Sequence, residues 1–290
     1  MGLPHAHIDS RLEFELRDKD FETISTMVKS VAGLNLPQSK RALVYSRLAR
    51  RIRKLGLPSF SAYIDRLQTE TDDTEMGFLI NALTTNVTAF FRESHHFDHL
   101  SEVVLPELVQ RARSGHKVRL WSAACSSGEE PYSIALCLTQ AMPDVARFDV
   151  KILATDIDEA IVLRASKAQF QTEVLNQIPP GMHQHFVRDA ASDTIRPKAE
   201  ISRLITFGQL NLFAAWPFAG QFDAIFCRNV AIYFDKDMQE RLWSKLAARL
   251  MPSGQLYIGH SERISGPARQ ELASNGITQY AKTGPPNAGA

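Results

Sequence analysis

The sequence has no apolar stretch approaching the ~18 uninterrupted residues that a membrane helix needs, which excludes a helical span. Its first residues, MGLPHAHIDSRLEFELRDKD, lack the apolar core of a signal peptide. Cysteine is scarce: Cys125, Cys137 and Cys227 stand far apart and form neither a disulfide framework nor a C-x-x-C metal site. Reduced thiols and a cytoplasmic location are the resulting expectations. An excess of either charge is missing too. Thirty-three Lys and Arg against 32 Asp and Glu leave a net charge of +1, so electrostatic targeting must be local. Two nucleotide signatures, G-x-G-x-x-G and G-x-x-x-x-G-K-[ST], are absent. So is the G-x-S-x-G elbow of many hydrolases, and His260 and Ser261, adjacent on a strand end, point to opposite faces and make no triad. That His260–Glu262 cluster reads as a structural strand end. His95 and His96 have only Glu93 and Asp98 nearby at ligand spacing, so no metal site is assigned.

What the sequence does hold divides near residue 117. Before it, helical spacing recurs: Phe21, Ile24, Met27, Val28 and Val31 in one run, and Leu43, Val44, Leu48, Ile52 and Leu55 in the next. SFSAYIDRLQ and TEMGFLINALTT add two short helices. After it, apolar strand-like runs (VRLW, FDVKILATD, FDAIFCRN, QLYIGHSE) alternate with helical patterns, which argues for βαβ units and a parallel sheet. The alternation breaks over residues 169–207, which read as an inserted small antiparallel subdomain. The expected organisation is a flexible start at 1–16, a helical domain at 17–90, an α/β domain at 91–282 and a disordered tail at 283–290.

Ligands of open α/β sheets lie beyond the carboxyl ends of the strands, where strand order reverses. There the first strand runs into AACSSGEEP, which puts Glu129 and Glu130 where a phosphate-binding loop needs bare N–H groups and a Lys. Carboxylates suit a nucleoside without phosphate that carries positive charge, and S-adenosylmethionine is such a molecule. Acids in a first helical turn also favour any helix dipole. Asp156, closing the second strand, is placed to accept ribose hydroxyls, and Asp158 to cap the next helix.

NALTTNVTAFFRESHHF, WSAACSSGEEPYSIA, ATDID, FDAIFCRNVAIYFD and SGQLYIGHSE, in this order and spacing, closely resemble the chemotaxis receptor glutamate O-methyltransferase family from about residue 20 to residue 280. The resemblance implies an all-helical N-terminal domain and a Rossmann-like class I methyltransferase domain carrying a small β-subdomain. It also implies S-adenosylmethionine-dependent methylation of receptor glutamates. On the matching motifs it makes Asn86, Thr88, Arg92, Glu130, Asp156, Asn211, Leu212, Cys227, Arg228 and Asn229 cofactor contacts, with Arg92 and Tyr233 at the reacting centre. Phe90 and Phe91 are expected to be core.

Lys40, Arg41, Arg47, Arg50, Arg51, Arg53 and Lys54 fall in one helix without an acid. Arg47, Arg51 and Lys54 share a face that is expected to be exposed, opposite the apolar stripe. Arg47, Arg50, Arg51 and Lys54 are the expected contacts to an acidic partner, which the resemblance identifies as the methylation helices of chemoreceptors. The chain is expected to be monomeric, not inserted in a membrane, and without a nucleic-acid partner. A nucleic-acid methyltransferase and a non-catalytic cofactor sensor stand as alternatives. Against the first is a pI near 7.8; against the second are Arg92 and Tyr233.

Overall fold

The structure, a computed structural model, describes residues 13–69, 74–84 and 86–283. Of the two ends expected to be flexible or disordered, residues 1–12 and 284–290 lie outside the described residues. The chain divides into two units between Thr85 and Asn86, not after residue 90 as expected. The reason is Phe90, which is 3% exposed and packs edge-on against Phe170 and Phe186 of the second unit. Among the described residues no helix is long and apolar enough to cross a membrane.

The first unit is helical: α1 Asp18–Ala32, α2 Arg41–Lys54, α3 Phe60–Thr69 and α4 Thr74–Leu83. Its core is the sum of their apolar faces, including Phe21, Ile24, Val28, Val44, Leu48, Ile52, Tyr63 and Leu79. Val31, expected in the α1 stripe, is 40% exposed. The basic helix α2 departs further from expectation, because acids remote in sequence reach it. Arg51 makes a two-pronged ion pair with buried Glu75, Nε to Oε1 at 2.9 Å, and its guanidinium carbon lies 4.0 Å from the Phe78 ring centroid. Arg47 donates to the carbonyls of Ala82 and Thr84 at the end of α4. Arg53 pairs with Glu13, and Arg41 with Asp18. Arg47 and Arg51 therefore face into the unit. Arg50, Lys54 and Lys40 are the exposed cations of this stretch for which the structure gives no acidic partner among the described residues.

In the second unit, α5 His95–His99, a π turn Leu100–Val104 and α6 Leu105–Arg113 lead into the sheet. The main strands are β1 Val118–Ala123, β2 Val150–Asp156, β6 Ile205–Gln209, β7 Phe222–Cys227, β8 Leu250–Ile258, β9 Leu272–Gly276 and β10 Gln279–Lys282. Their order is β6-β2-β1-β7-β8-β10-β9, with the first five parallel and the final hairpin antiparallel. Helices α7 Glu129–Ala141 and α8 Glu159–Ser166 follow β1 and β2, and α10 Lys236–Arg249 joins β7 to β8. β7 is buried at every residue, as a parallel strand covered on both faces should be. β1 lies between β2 and β7, so the chain leaves it toward opposite sides, and the strand order reverses there.

The insertion is a three-stranded antiparallel sheet, order β3-β5-β4, of β3 Phe170–Gln171, β4 Phe186–Asp189 and β5 Thr194–Pro197, followed by the short helix α9 Ala199–Ser202. It is shorter than the expected 169–207, because β6 begins at Ile205 and pairs with β2 in the main sheet. As a half-exposed edge strand β6 lacks the continuous apolar run that marks its neighbours.

Candidate active site

The carboxyl ends of β1, β2, β7 and β8 converge on one irregular stretch, residues 86–93. The Asn86 carbonyl accepts from Ser126 Oγ at 2.9 Å, after β1. The Asn86 side chain donates to Asp158 Oδ2 at 3.5 Å, after β2. Phe91 N–H donates to Ser133 Oγ at 3.0 Å on α7, and the Arg92 carbonyl accepts from Arg228 at the end of β7. Glu93 Oε1 accepts from His260 Nδ1 at 3.0 Å, after β8. Backbone strain gathers at the same place. Phe91, Glu93, Ala124, Ser126 and Asn229 hold φ between 51° and 62°, five of the nine non-glycine residues with positive φ among the described residues. Each such residue costs on the order of 1–2 kcal/mol, and that concentration marks a site whose geometry the surrounding packing imposes.

Asp156 is buried at the end of β2. Its Oδ2 accepts Ser126 N–H at 2.9 Å and its Oδ1 accepts Asp158 N–H at 3.1 Å. Burial pushes its pKa up, against the pull of those N–H groups. The bonds fix both oxygens and still leave lone pairs for a diol. Asp158 caps α8 through Ile161 N–H at 3.1 Å, the capping role expected of it. Gly128, the residue before α7, has φ 102°, and a Cβ on it would meet the Ala165 Cβ at 3.1 Å. That close approach and that φ are reasons for glycine.

Behind this rim lies a buried ionic cluster. Arg228 Nη1 donates to Glu130 Oε2 at 2.9 Å, and Nη2 lies 3.2 Å from Glu93 Oε2. Ser122 Oγ donates to the other Glu130 oxygen at 2.7 Å. Burial pushes the Glu130 carboxyl up, against the attraction of Arg228. Burial would raise Glu93 as well, but Arg228, His260 and Asn229 outweigh it and hold the group at about 2. Glu130 is therefore already countered by an arginine. Of the two acids at the start of α7, Glu129 is the half-exposed one, with Oε2 accepting from Ser127 Oγ at 2.7 Å.

Two comparisons identify the fold that builds this site. Residues 86–280 match the family model described as CheR methyltransferase, SAM binding domain, and residues 19–84 match its all-alpha domain. The chain belongs to the CheR methyltransferase family. It is 47% identical over 260 residues to a probable chemotaxis protein methyltransferase of Rhizobium etli, covering 89% of this chain and 97% of the relative. It is 43% identical to chemotaxis protein methyltransferase 2 of Pseudomonas aeruginosa, covering 87% and 89%. With the Escherichia coli chemotaxis protein methyltransferase it shares 40% identity over 270 residues, covering 92% and 91%. The protein is an S-adenosylmethionine-dependent methyltransferase of chemotaxis, with an all-helical domain followed in sequence by a class I methyltransferase domain.

The donor set fits that cofactor. It offers Asp156 for a ribose and carboxylates at the α7 N-terminus, and its central arginine is consumed by Glu93 and Glu130, an arrangement unsuited to phosphates. The Asn211–Leu212 turn sits next to Asp156: Leu210 N–H donates to the Asp156 carbonyl at 2.8 Å. Lys245 Nζ holds the turn through the carbonyls of Leu212 at 2.7 Å and Ala214 at 2.9 Å. Leu212 itself is buried.

Not every residue of the expected set presents a side chain. Cys227 is 0% exposed, backbone included, so it presents no surface to a ligand, and burial pushes its thiol far up. The Arg228 side chain is enclosed by its ion pairs. Thr88 is half-buried in the 86–93 stretch. Arg92 folds back over that stretch, Nη1 to the Val87 carbonyl at 2.8 Å, rather than onto an acid. Tyr233 ends the 3₁₀ turn Ala231–Tyr233 beyond β7. The sequence reading missed Glu93 as an organiser of the site and treated Glu262 as part of a strand end. Both lie among polar residues, Arg92-Glu93-Ser94-His95 and His260-Ser261-Glu262-Arg263, so no apolar pattern sets them apart.

Proposed function

We propose that the chain transfers methyl groups from S-adenosylmethionine to glutamate side chains on the cytoplasmic methylation helices of chemoreceptors, acting in the cytoplasm. The observation that carries this reading is the buried Asp156 at the reversal of strand order, with Arg92 on the adjoining stretch. In this reading Asp156 accepts the ribose hydroxyls. Asn86, Thr88, Glu130, Asn211, Leu212 and the Arg228–Asn229 segment border the rest of the cofactor, with Glu129 available to an ammonium group.

Bound S-adenosylmethionine supplies an electrophilic methyl group on a cationic sulfur. A glutamate acceptor is already ionised at neutral pH, with a reference pKa of about 4.3, so the chain needs no general base. Arg92 orients the acceptor carboxylate through its planar guanidinium, and its tie to the Val87 carbonyl fixes where that guanidinium stands. Tyr233 supplies a second hydrogen bond or a packing surface beside it. Val87 and Ile232, both exposed apolar residues in the two stretches that carry Arg92 and Tyr233, exclude water once an acceptor is seated.

Acceptor docking falls to Arg50 and Lys54 of α2, joined by Lys40, because Arg47 and Arg51 are tied within the helical unit. These exposed charges act on encounter and register with an acidic helix, and their effect weakens as salt rises. The test is transfer of labelled methyl to a receptor cytoplasmic fragment, with RNA and DNA as rival acceptors. Label on the fragment alone is expected. Label on either nucleic acid, or on none of the three despite cofactor binding, contradicts the reading.

A further inference from the structure

Glu262 has no part in the mechanism above, yet it is 4% exposed and accepts four backbone hydrogen bonds. Its Oε1 accepts Ala231 N–H at 2.7 Å and Ile232 N–H at 3.3 Å. Its Oε2 accepts Asn229 N–H at 3.1 Å and Gly259 N–H at 2.5 Å. Three of the four donors belong to the loop after β7 and the fourth to the residue after β8. The carboxylate thus ties the loop to the neighbouring strand. Burial pushes its pKa up, against these four donors.

The loop is the one that carries Asn229 and Tyr233. Asn229 holds φ at 58°, a conformation it keeps only because its surroundings impose it. Its Nδ2 donates to Glu93 Oε1 at 3.3 Å. A carboxylate can only accept, so the amide must turn its NH₂ toward Glu93 and keep its oxygen for a donor elsewhere. Gly259 closes the other side: a Cβ there would overlap Asn229 Nδ2 and lie 2.7 Å from Asn229 N. Glu262 on the backbone, Glu93 on the side chain and Gly259 against both leave Asn229 one position.

We propose that Glu262 is a positioning residue for methyl transfer, its carboxylate setting the Asn229–Tyr233 loop against the end of β8 so that Asn229 meets the cofactor and Tyr233 the acceptor. This rests on the reading that the loop lines the reacting centre. A residue that only held the fold together would lower the melting temperature and leave the rate of the folded enzyme alone. A positioning residue changes the rate of an enzyme that is still folded.

Glu262→Gln keeps the shape but replaces one acceptor oxygen by an NH₂ facing two N–H donors. The loop then shifts, and a displacement of even an ångström at a reacting centre lowers turnover roughly 10- to 100-fold. The expected result, with folding checked by circular dichroism below the melting midpoint, is a fall of that size in kcat, with a smaller rise in the KM for S-adenosylmethionine. Gly259→Ala drives Asn229 from its place against Glu262 while leaving the carboxyl group itself unaltered, and should act in the same direction; should Glu262→Gln not fold, wild-type turnover in Gly259→Ala overturns the role given to Glu262. Asn229→Ala and Tyr233→Phe calibrate the loop itself. Wild-type kcat and KM in folded Glu262→Gln, while the two calibrating variants lose activity, overturn the role given to Glu262. Wild-type turnover in both calibrating variants overturns the reading of the loop, and the proposal with it.

Discussion

Arg51 and Arg228 are both arginines drawn out of water onto carboxylates remote in sequence. Arg51 reaches Glu75, 24 residues away, within the helical unit, with its side chain 17% exposed. Arg228 reaches Glu130, 98 residues away, and Glu93, with its side chain 2% exposed, at the strand ends where the methyltransferase site forms. The first pair fastens α4 to α2, while the neighbouring cations Arg50 and Lys54 stay exposed. The second forms the floor of a site and holds the backbone of Arg92. The contrast teaches that cations cannot be sorted into docking and structural groups by their own helix alone. The acids that claim them arrive from elsewhere in the fold.

The sharpest way to break the comparison is to delete each arginine. Arg228→Met leaves two buried carboxylates without a counter-charge, and the sheet unit should lose about 3–5 kcal/mol in chemical denaturation, with methyl transfer abolished. Arg51→Met strands one carboxylate beside a wetter surface, so the helical unit should lose less, about 2–3 kcal/mol, with cofactor affinity intact. Equal losses, or loss of cofactor binding in Arg51→Met, would erase the distinction.

Next in size is the rim above the floor. Asp156→Ala should weaken S-adenosylmethionine binding by about 2–3 kcal/mol in calorimetry, the loss of hydrogen bonds to a charged acceptor. Unchanged affinity would remove Asp156 from the ribose.

Acid stability probes the Arg228 cluster, in which His96 Nδ1 lies 3.6 Å from Glu93 Oε2. Glu93 in the fold has its pKa brought from 4.5 to about 2, so its contribution is present above about 4.5 and is lost as pH falls toward 2. His96, held by burial from 6.5 down to about 3, adds a second loss as pH drops through that window, because the unfolded chain takes up the proton first. Glu93→Gln should flatten the limb below about 4.5 and extend the His96 loss to lower pH, because Glu93 Oε2, 3.6 Å from His96 Nδ1, raises that imidazole's pKa. Urea titrations across pH 2–7 on the isosteric variant read both, and an unaltered lower limb would show that Glu93 is not the group responsible.

The smallest effect concerns the exposed cations. Arg50→Glu with Lys54→Glu should slow methylation of a receptor fragment at low salt and change little at high salt, since exposed charges contribute about 0.2–1 kcal/mol each and are screened. Cofactor affinity should stay at the wild-type value. A fragment methylated at the wild-type rate in low salt would move the docking surface off α2.

Much of this was legible in the sequence because local patterns carried it. The apolar runs VRLW and FDAIFC became β1 and β7, and the small residues after β1 became the strained loop around Ser126. Asp158 reads as a cap because capping depends on residues three apart. What stayed hidden is long-range. Nothing local to α2 announces Glu75 or Glu13, nothing local to Glu130 announces Arg228, and the β6 edge strand and the β9–β10 hairpin lack the uninterrupted apolar run that marks a central strand. Glu262 was hidden in a further way. Its four partners are backbone N–H groups, which every sequence contains and no side-chain pattern reveals.

A chain that esterifies a carboxylate leaves a product whose chemistry differs from that of a methylated nitrogen. Receptor fragment labelled with tritiated S-adenosylmethionine is isolated and treated with mild base. A glutamyl methyl ester hydrolyses to methanol, whereas a methylated nitrogen does not. The account predicts that the label becomes volatile, and that a fragment whose methylation-site glutamates are replaced by alanine takes up none. Label that withstands base, or that persists on the alanine-substituted fragment, would contradict it.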